Sequence, residues 1–307
     1  MAGGLFLLGW VAFLWFDPGP APYHYRLVEE GGVDKFPKLE LGPWSDLSIS
    51  KQEVHVEGME EPVASAYLAR RGNTKPVMLA WENHVGEPMV FVDSKLSELS
   101  ILASVIAKNM PKDATILTWW DTSRQIQMLT GSETVFTSHL SEPLITPMPW
   151  RPRTEAIVKY ERDFWGSAPS EEEKRKFQRF ADALLAEPTE GAAILRELTG
   201  GREAYVVVHI SDLYKLGMMR PDGIGVAYKD FTVKGSGDVH GLNVMVKRWQ
   251  ADNKFTSHTV HGLSETNVRA YFLTDDKSVK TLLAQMLPMT TSLILEFKPL
   301  QMVYKEG

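Results

Sequence analysis

Apolar and polar residues alternate along the first part of the chain in the manner of strands. Leu47-Ser48-Ile49-Ser50 and Val54-His55-Val56 change character at every step, the period of a half-buried strand. Val63 to Leu68, Val77 to Trp81 and Met89 to Val92 add short apolar runs of the same type. The period then lengthens. Leu96, Leu99, Leu102, Ala103, Ile106 and Met110 recur at helical spacing, with Asp93 or Ser94 placed to cap the element and Pro111 to close it. Ala114 to Leu117 reads as a short buried strand. Asp121 then fits the cap of a helix from Thr122 to about Leu129, ended by Gly131, and Thr134 to Thr137 reads as the next strand. Helix and strand in this rhythm predict parallel pairing through right-handed crossovers.

Pro143, Pro147, Pro149 and Pro152 mark a surface loop, and a helical region follows. Ser170 and Glu173 have the spacing of a capping box, ahead of a stripe formed by Phe177, Phe180, Ala181, Leu184 and Leu185. Thr189 starts a second helix that Gly200 ends. Tyr205 to Ile210 is a fully buried strand type, followed by Ser211-Asp212 and a short helix. From Gly223 onward the pattern is strand-rich. Val244 to Val246, Phe255 to Val260 and Val268 to Leu273 predict an antiparallel meander, with one helix around Val279 to Met286 and a last strand from Ser292 to Phe297. The fold class is therefore α/β: a mixed sheet with a parallel βαβ core and an antiparallel C-terminal extension.

The first residues add a different element. Gly3 to Phe16 is an uncharged apolar run, stopped by Asp17-Pro18-Gly19-Pro20. As a helix it spans roughly 20 Å against a hydrocarbon core of ~30 Å. Prolines crowd the positions where a signal peptidase would cut, so the run predicts a retained anchor helix. Arg26, Lys35 and Lys38 follow the run and no basic residue precedes it in the sequence, the reverse of the positive-inside pattern for an exported body. The expected organisation is a membrane anchor at 1–16, an extended Pro- and Gly-rich linker at 17–45 and one α/β body at 46–307. The expected location is the inner (cytoplasmic) membrane, single-pass, with residues 3–16 in the lipid bilayer and the body in the periplasm.

Charge and composition remove several classes of chemistry. Lys and Arg number 33 against 39 Asp and Glu, a net charge of −6, so no nucleic-acid partner is expected. There is no cysteine. That excludes disulfides, thiolate catalysis, Cys-held iron–sulfur clusters, Cys-based zinc sites and covalent c-type haem. No phosphate-binding Gly loop is present, and Gly235-Ser236-Gly237 lacks the strand–turn–helix setting of a nucleophile serine. His258 and His261 lie three apart in a strand pattern, which points them to opposite faces and suits a shared metal poorly. His209, close to Asp212, has the makings of a general base; the more ordinary reading is a strand-end histidine bonded to a neighbour. No catalytic residues, no metal and no cofactor are expected.

One segment concentrates recognition chemistry. Trp119 and Trp120 stand where a strand hands over to a helix, with Asp121 next and Arg124 one turn on. Indoles beside an arginine are the residue types that carry binding energy at interfaces. Strand alternation would turn the two indoles to opposite faces, with Trp120 the exposed one. Trp119, Trp120, Asp121 and Arg124 are the candidate partner-binding residues; as core, the same indoles would serve packing and Asp121 only as a helix cap.

This segment resembles those of two families. Ile106 to Ala114, leading through a strand to Trp119-Trp120-Asp121, resembles the start of the extracytoplasmic domain of oligosaccharyltransferase catalytic subunits, where the strand runs into Trp-Trp-Asp-Tyr-Gly. Only residues 119–121 match that motif. Thr122-Ser123 replaces Tyr-Gly, and the multi-helix membrane half that carries the catalysis has no counterpart. That resemblance implies a local fold over about 95–140 and the strand at 205–210, with a glycan- or peptide-binding module as its functional counterpart. The run Trp119-Trp120-Asp121-Thr122-Ser123-Arg124 is similar to that of the hydroxylamine-oxidation accessory protein B family, over most of the chain. This second resemblance implies a non-enzymatic accessory protein, anchored in the membrane, whose partner is the multihaem hydroxylamine dehydrogenase of the periplasm.

Overall fold

The computed structural model describes residues 19–85, 96–111, 113–143, 146–166, 169–233, 239–264 and 266–291. The apolar run at 3–16, the caps at Asp93 and Ser94, the strand expected at Met89 to Val92 and the one at Ser292 to Phe297 lie outside them. No helix among the described residues is long and apolar enough to cross a membrane. The chain divides into two units, in contrast to the single body expected from 46 onward.

The first unit comprises residues 1–110, 120–131 and 137–169. Its sheet is an antiparallel meander of β1 (Tyr23–Gly32), β2 (Leu47–Val56), β3 (Ala64–Arg71) and β4 (Val77–Asn83), in that order. The alternation seen in the sequence is real in β2, where Leu47 and Ile49 are buried and Ser48 is exposed. β1 was not expected. Residues 17–45 read as an extended linker, yet Tyr23 to Gly32 pairs along β2, from Tyr23 opposite Val56 to Gly32 opposite Ser48. The prolines that suggested a linker sit elsewhere: Pro37 and Pro43 open short 3₁₀ turns, Pro37–Leu39 and Gly42–Trp44. Phe36, Leu39 and Leu41 around these turns are buried. Among the described residues three α-helices complete the unit: α1 (Leu96–Asn109), α2 (Trp120–Thr130) and α3 (Thr154–Trp165). α1 buries Leu99, Ala103 and Ile106, the stripe its spacing predicts. Trp165 at the end of α3 packs into one core cluster with Ala66 and Leu68 of β3.

The second unit comprises residues 111–119, 132–136 and 170–307. β5 (Thr115–Leu117) lies between β6 (Glu133–Thr134) and β7 (Ala204–Val206) and pairs parallel with both. This is the expected parallel core, with β6 and β7 shorter than the apolar runs suggested. α4 (Glu171–Leu185) starts on the Ser170 cap, whose Oγ accepts from the Glu173 N–H at 3.0 Å. α5 (Pro188–Leu198) follows, and α6 (Asp212–Met219) comes after β7. The rest is β8 (Val226–Thr232), α7 (Val239–Asp252), β9 (Ser257–Gly262), β10 (Asn267–Leu273), the short helices α8 (Asp276–Val279) and α9 (Leu282–Met286), and β11 (Thr290–Thr291). The four strands form an antiparallel sheet in the order β11-β9-β10-β8. The described strands thus make three separate sheets, not one mixed sheet. Val244 to Val246, expected as a strand, is part of α7. Leu242, Val246 and Trp249 recur at helical spacing and pack on Phe231, Ala270 and Phe272, while Val244 between them is exposed.

Candidate functional site

The strand that leads to the tryptophans ends at Leu117, and α2 begins at Trp120 itself. Strand alternation therefore does not govern the two indoles, and neither is open to solvent. Trp119 belongs to the second unit and is 1% exposed. Its ring meets Phe177 edge-on at 5.0 Å, and the Lys215 ammonium lies 5.6 Å from its centroid. Trp120 belongs to the first unit and is 8% exposed, against the exposure expected of it. Its indole N–H donates to the Glu142 carbonyl at 2.6 Å. Asp121 is the second residue of α2, not its cap, and its Oδ1 accepts from the Thr122 N–H at 2.6 Å. Arg124 is 5% exposed. It stands one turn from Trp120, on the same helix face.

Arg124 is held by fixed acceptors. Its Nη2 donates to the Pro76 carbonyl at 2.6 Å, and its Nη1 lies 3.1 Å from Nδ1 of His139. A guanidinium only donates, so Nδ1 of His139 is the acceptor and the ring proton sits on Nε2. Burial pushes the pKa of His139 down to about 3, helped by the positive charge of Arg124 and opposed by Asp121. The ring is neutral at any ordinary pH. It stacks on Trp165 at 4.4 Å, with 10° between planes, and meets Trp120 edge-on at 4.6 Å.

Behind His139 lies a buried carboxylate. Glu161 is 7% exposed, and its Oε2 is 3.7 Å from Nε2 of His139. That is ion-pair range, but a neutral imidazole makes it a contact between an N–H dipole and an acid group. Oε2 also accepts from the Trp165 indole N–H at 2.7 Å, one turn along α3. Oε1 accepts from the hydroxyls of Tyr23 at 2.5 Å and Tyr25 at 3.1 Å. Burial first, and the Glu161 carboxylate second, hold both phenols well above the usual tyrosine range. A buried acid with donors on both oxygens is a satisfied group, so the cluster fixes geometry. It ties β1 to α3 and locks the ring that accepts from Arg124.

Arg124 also lines a cleft of about 340 Å³. Arg71, Thr74, Lys75 and Val77 line it from the β3–β4 turn region, Arg124, Gln127 and Met128 from α2, and Thr137 from the segment after it. Of the four residues marked by the sequence, Arg124 alone reaches this cleft.

The family model of HaoA-associated protein HaoB matches residues 1–307. The chain belongs to that family. The likeness read from Trp119 to Arg124 thus extends over the whole chain, and the family's description ties it to HaoA. No curated protein and no solved structure matches the chain. The likeness to oligosaccharyltransferase subunits accordingly rests on residues 119–121 and their local setting.

In the HaoB-family body His258 is bonded to a neighbouring side chain, while His209 and His261 meet each other. Nδ1 of His258 is 2.5 Å from Oε1 of Gln250, and burial lowers its pKa. His261, three residues on, meets the His209 ring edge-on at 5.1 Å. The two β9 histidines face different neighbours, as alternation requires. Nδ1 of His209 is 2.7 Å from the Ser211 hydroxyl, and the Asp212 carboxylate accepts from the His209 backbone N–H at 2.8 Å. His209 is thus bonded to its neighbours as the ordinary reading expected, but three residues beyond the end of β7 and not at a strand end. Sequence reasoning missed His139, Glu161, Tyr23 and Tyr25. The signal available was the alternation in Tyr23-His24-Tyr25-Arg26-Leu27, hidden by the prolines on either side.

Proposed function

We propose that this chain is a membrane-anchored, non-enzymatic accessory protein that docks on the multihaem hydroxylamine dehydrogenase at the periplasmic face of the inner membrane. The observation that carries the reading is the full-length match to a family described by its association with HaoA. The uncharged run from Gly3 to Phe16 supports the anchor. The absence of cysteine supports a role without covalent haem, leaving electron chemistry to the partner.

The buried indoles redistribute the work within the Trp-Trp-Asp-Arg segment. Trp119 and Trp120 act as positioning residues, and Arg124, itself 5% exposed and held by Pro76 and His139, is the residue of that segment that lines the cleft. An open aromatic platform for a saccharide would need exposed rings, and these two are covered. Co-purification from native membranes tests the reading. A tagged full-length chain is expected to stay with the membrane on alkaline carbonate extraction and, after mild solubilisation, to bring down a protein with a c-type haem spectrum. Recovery of a mature N-terminus beginning after residue 16, or a pull-down free of haem protein, would overturn it.

A further inference from the structure

We propose that the cleft lined by Arg124 is a binding site for a small inorganic oxyanion of the phosphate or sulfate type. Its lining holds three cations, Arg71, Lys75 and Arg124, and no carboxylate, in a protein of net charge −6. The remaining polar lining is Thr74, Thr137 and Gln127, all able to donate. Guanidinium, ammonium and hydroxyl groups converging on one space are the donor set that oxyanions select.

Two features make this a formed site rather than a chance of surface charge. Arg124 is nine-tenths buried, and its guanidinium is fixed by the Pro76 carbonyl at 2.6 Å and His139 Nδ1 at 3.1 Å before any ligand arrives. Thr74 is likewise set: its Oγ accepts from the Arg71 backbone N–H at 3.0 Å, which leaves the hydroxyl proton to donate. Nε of Arg71 lies 2.6 Å from Oδ2 of Asp46, which fixes that guanidinium at the wall of the cleft as well. A volume of about 340 Å³ accommodates one such ion together with waters of roughly 30 Å³ each.

The test is calorimetric titration of the full chain, in detergent, with inorganic phosphate at low ionic strength. One saturable site is expected, with sulfate competing and chloride at equal ionic strength failing to compete. Lys75 is exposed, so Lys75→Ala leaves the fold intact while removing one charge-assisted bond. It should weaken phosphate about tenfold. Arg124→Lys should weaken it further, and Lys108→Ala on α1 should change nothing. Absence of a saturable site, or equal affinity in wild type and Lys75→Ala, would overturn the proposal. No dehydrogenase is present in the titration, so either result leaves the docking reading to its own test.

Discussion

Truncating Trp120 separates a packing role from a docking role. The indole is 8% exposed, its N–H is bonded to the Glu142 carbonyl at 2.6 Å, and its ring lies 4.6 Å from that of His139. Trp120→Ala removes a buried aromatic and leaves a cavity, a change that costs ~3–5 kcal/mol. It also releases His139 from one side, and with it the acceptor of Arg124. Trp120→Phe keeps a ring against His139 and forfeits the indole hydrogen bond and part of the volume, about 1–2 kcal/mol. Urea denaturation followed by circular dichroism gives both values from the shift in midpoint at constant slope. Partner binding is then measured per folded molecule at low denaturant, so that loss of fold is not counted as loss of affinity. The expected order of stability is wild type, then Phe, then Ala, with Trp119→Ala also in the range of a core truncation. A Trp120→Ala midpoint within about 0.5 kcal/mol of wild type, the range of a surface change, would refute the reasoning. That outcome together with lost partner binding would restore the exposed-anchor reading of the indole.

Two further predictions concern the groups behind Arg124. The pKa of His139 falls from 6.5 to about 3 on folding, so the unfolded chain binds a proton that the folded chain refuses. Its contribution to stability is full above pH 6.5 and is lost as pH falls toward 3, by an amount with an upper limit of roughly 5 kcal/mol. Denaturation midpoints across that window should decline steeply in wild type and more gently in His139→Gln, which supplies a neutral acceptor without titrating; parallel curves would contradict the assignment. Glu161→Gln presents an amide N–H₂ where the carboxylate accepts from Tyr23, Tyr25 and Trp165, and should destabilise the first unit by ~2–4 kcal/mol. A thermal melt showing no loss would place the cluster outside the packing of that unit.

Local signals carried much of the secondary structure. The Ser170 cap, the Phe177–Leu185 stripe and the spacing of Leu99, Ala103 and Ile106 each act within a few residues, and the helices form where those signals stand. Periodicity failed where composition misled. Val244-Met245-Val246 looks like a strand because two of its residues are β-branched, yet Leu242, Val246 and Trp249 form one helical stripe. β1 was masked by the glycines and prolines that bracket it, although its tyrosines alternate. The two-unit organisation leaves no trace in composition, because the chain passes from one unit to the other between Trp119 and Trp120, in the middle of the motif. The site was half legible. Arg124 was marked by its residue type, but Glu161 joins Tyr23 across 138 positions of sequence, and no local pattern records such a contact.

The association with hydroxylamine dehydrogenase is the central claim, and sedimentation tests it most directly. Purified full-length chain in detergent is mixed with purified dehydrogenase, and the sedimentation of the haem absorbance is followed as the chain is added. Docking predicts that the haem boundary moves to a larger sedimentation coefficient and saturates, while the haem spectrum keeps its oxidation state and the chain alone contributes no Soret band. A haem boundary that stays in place at every chain concentration would contradict the docking account.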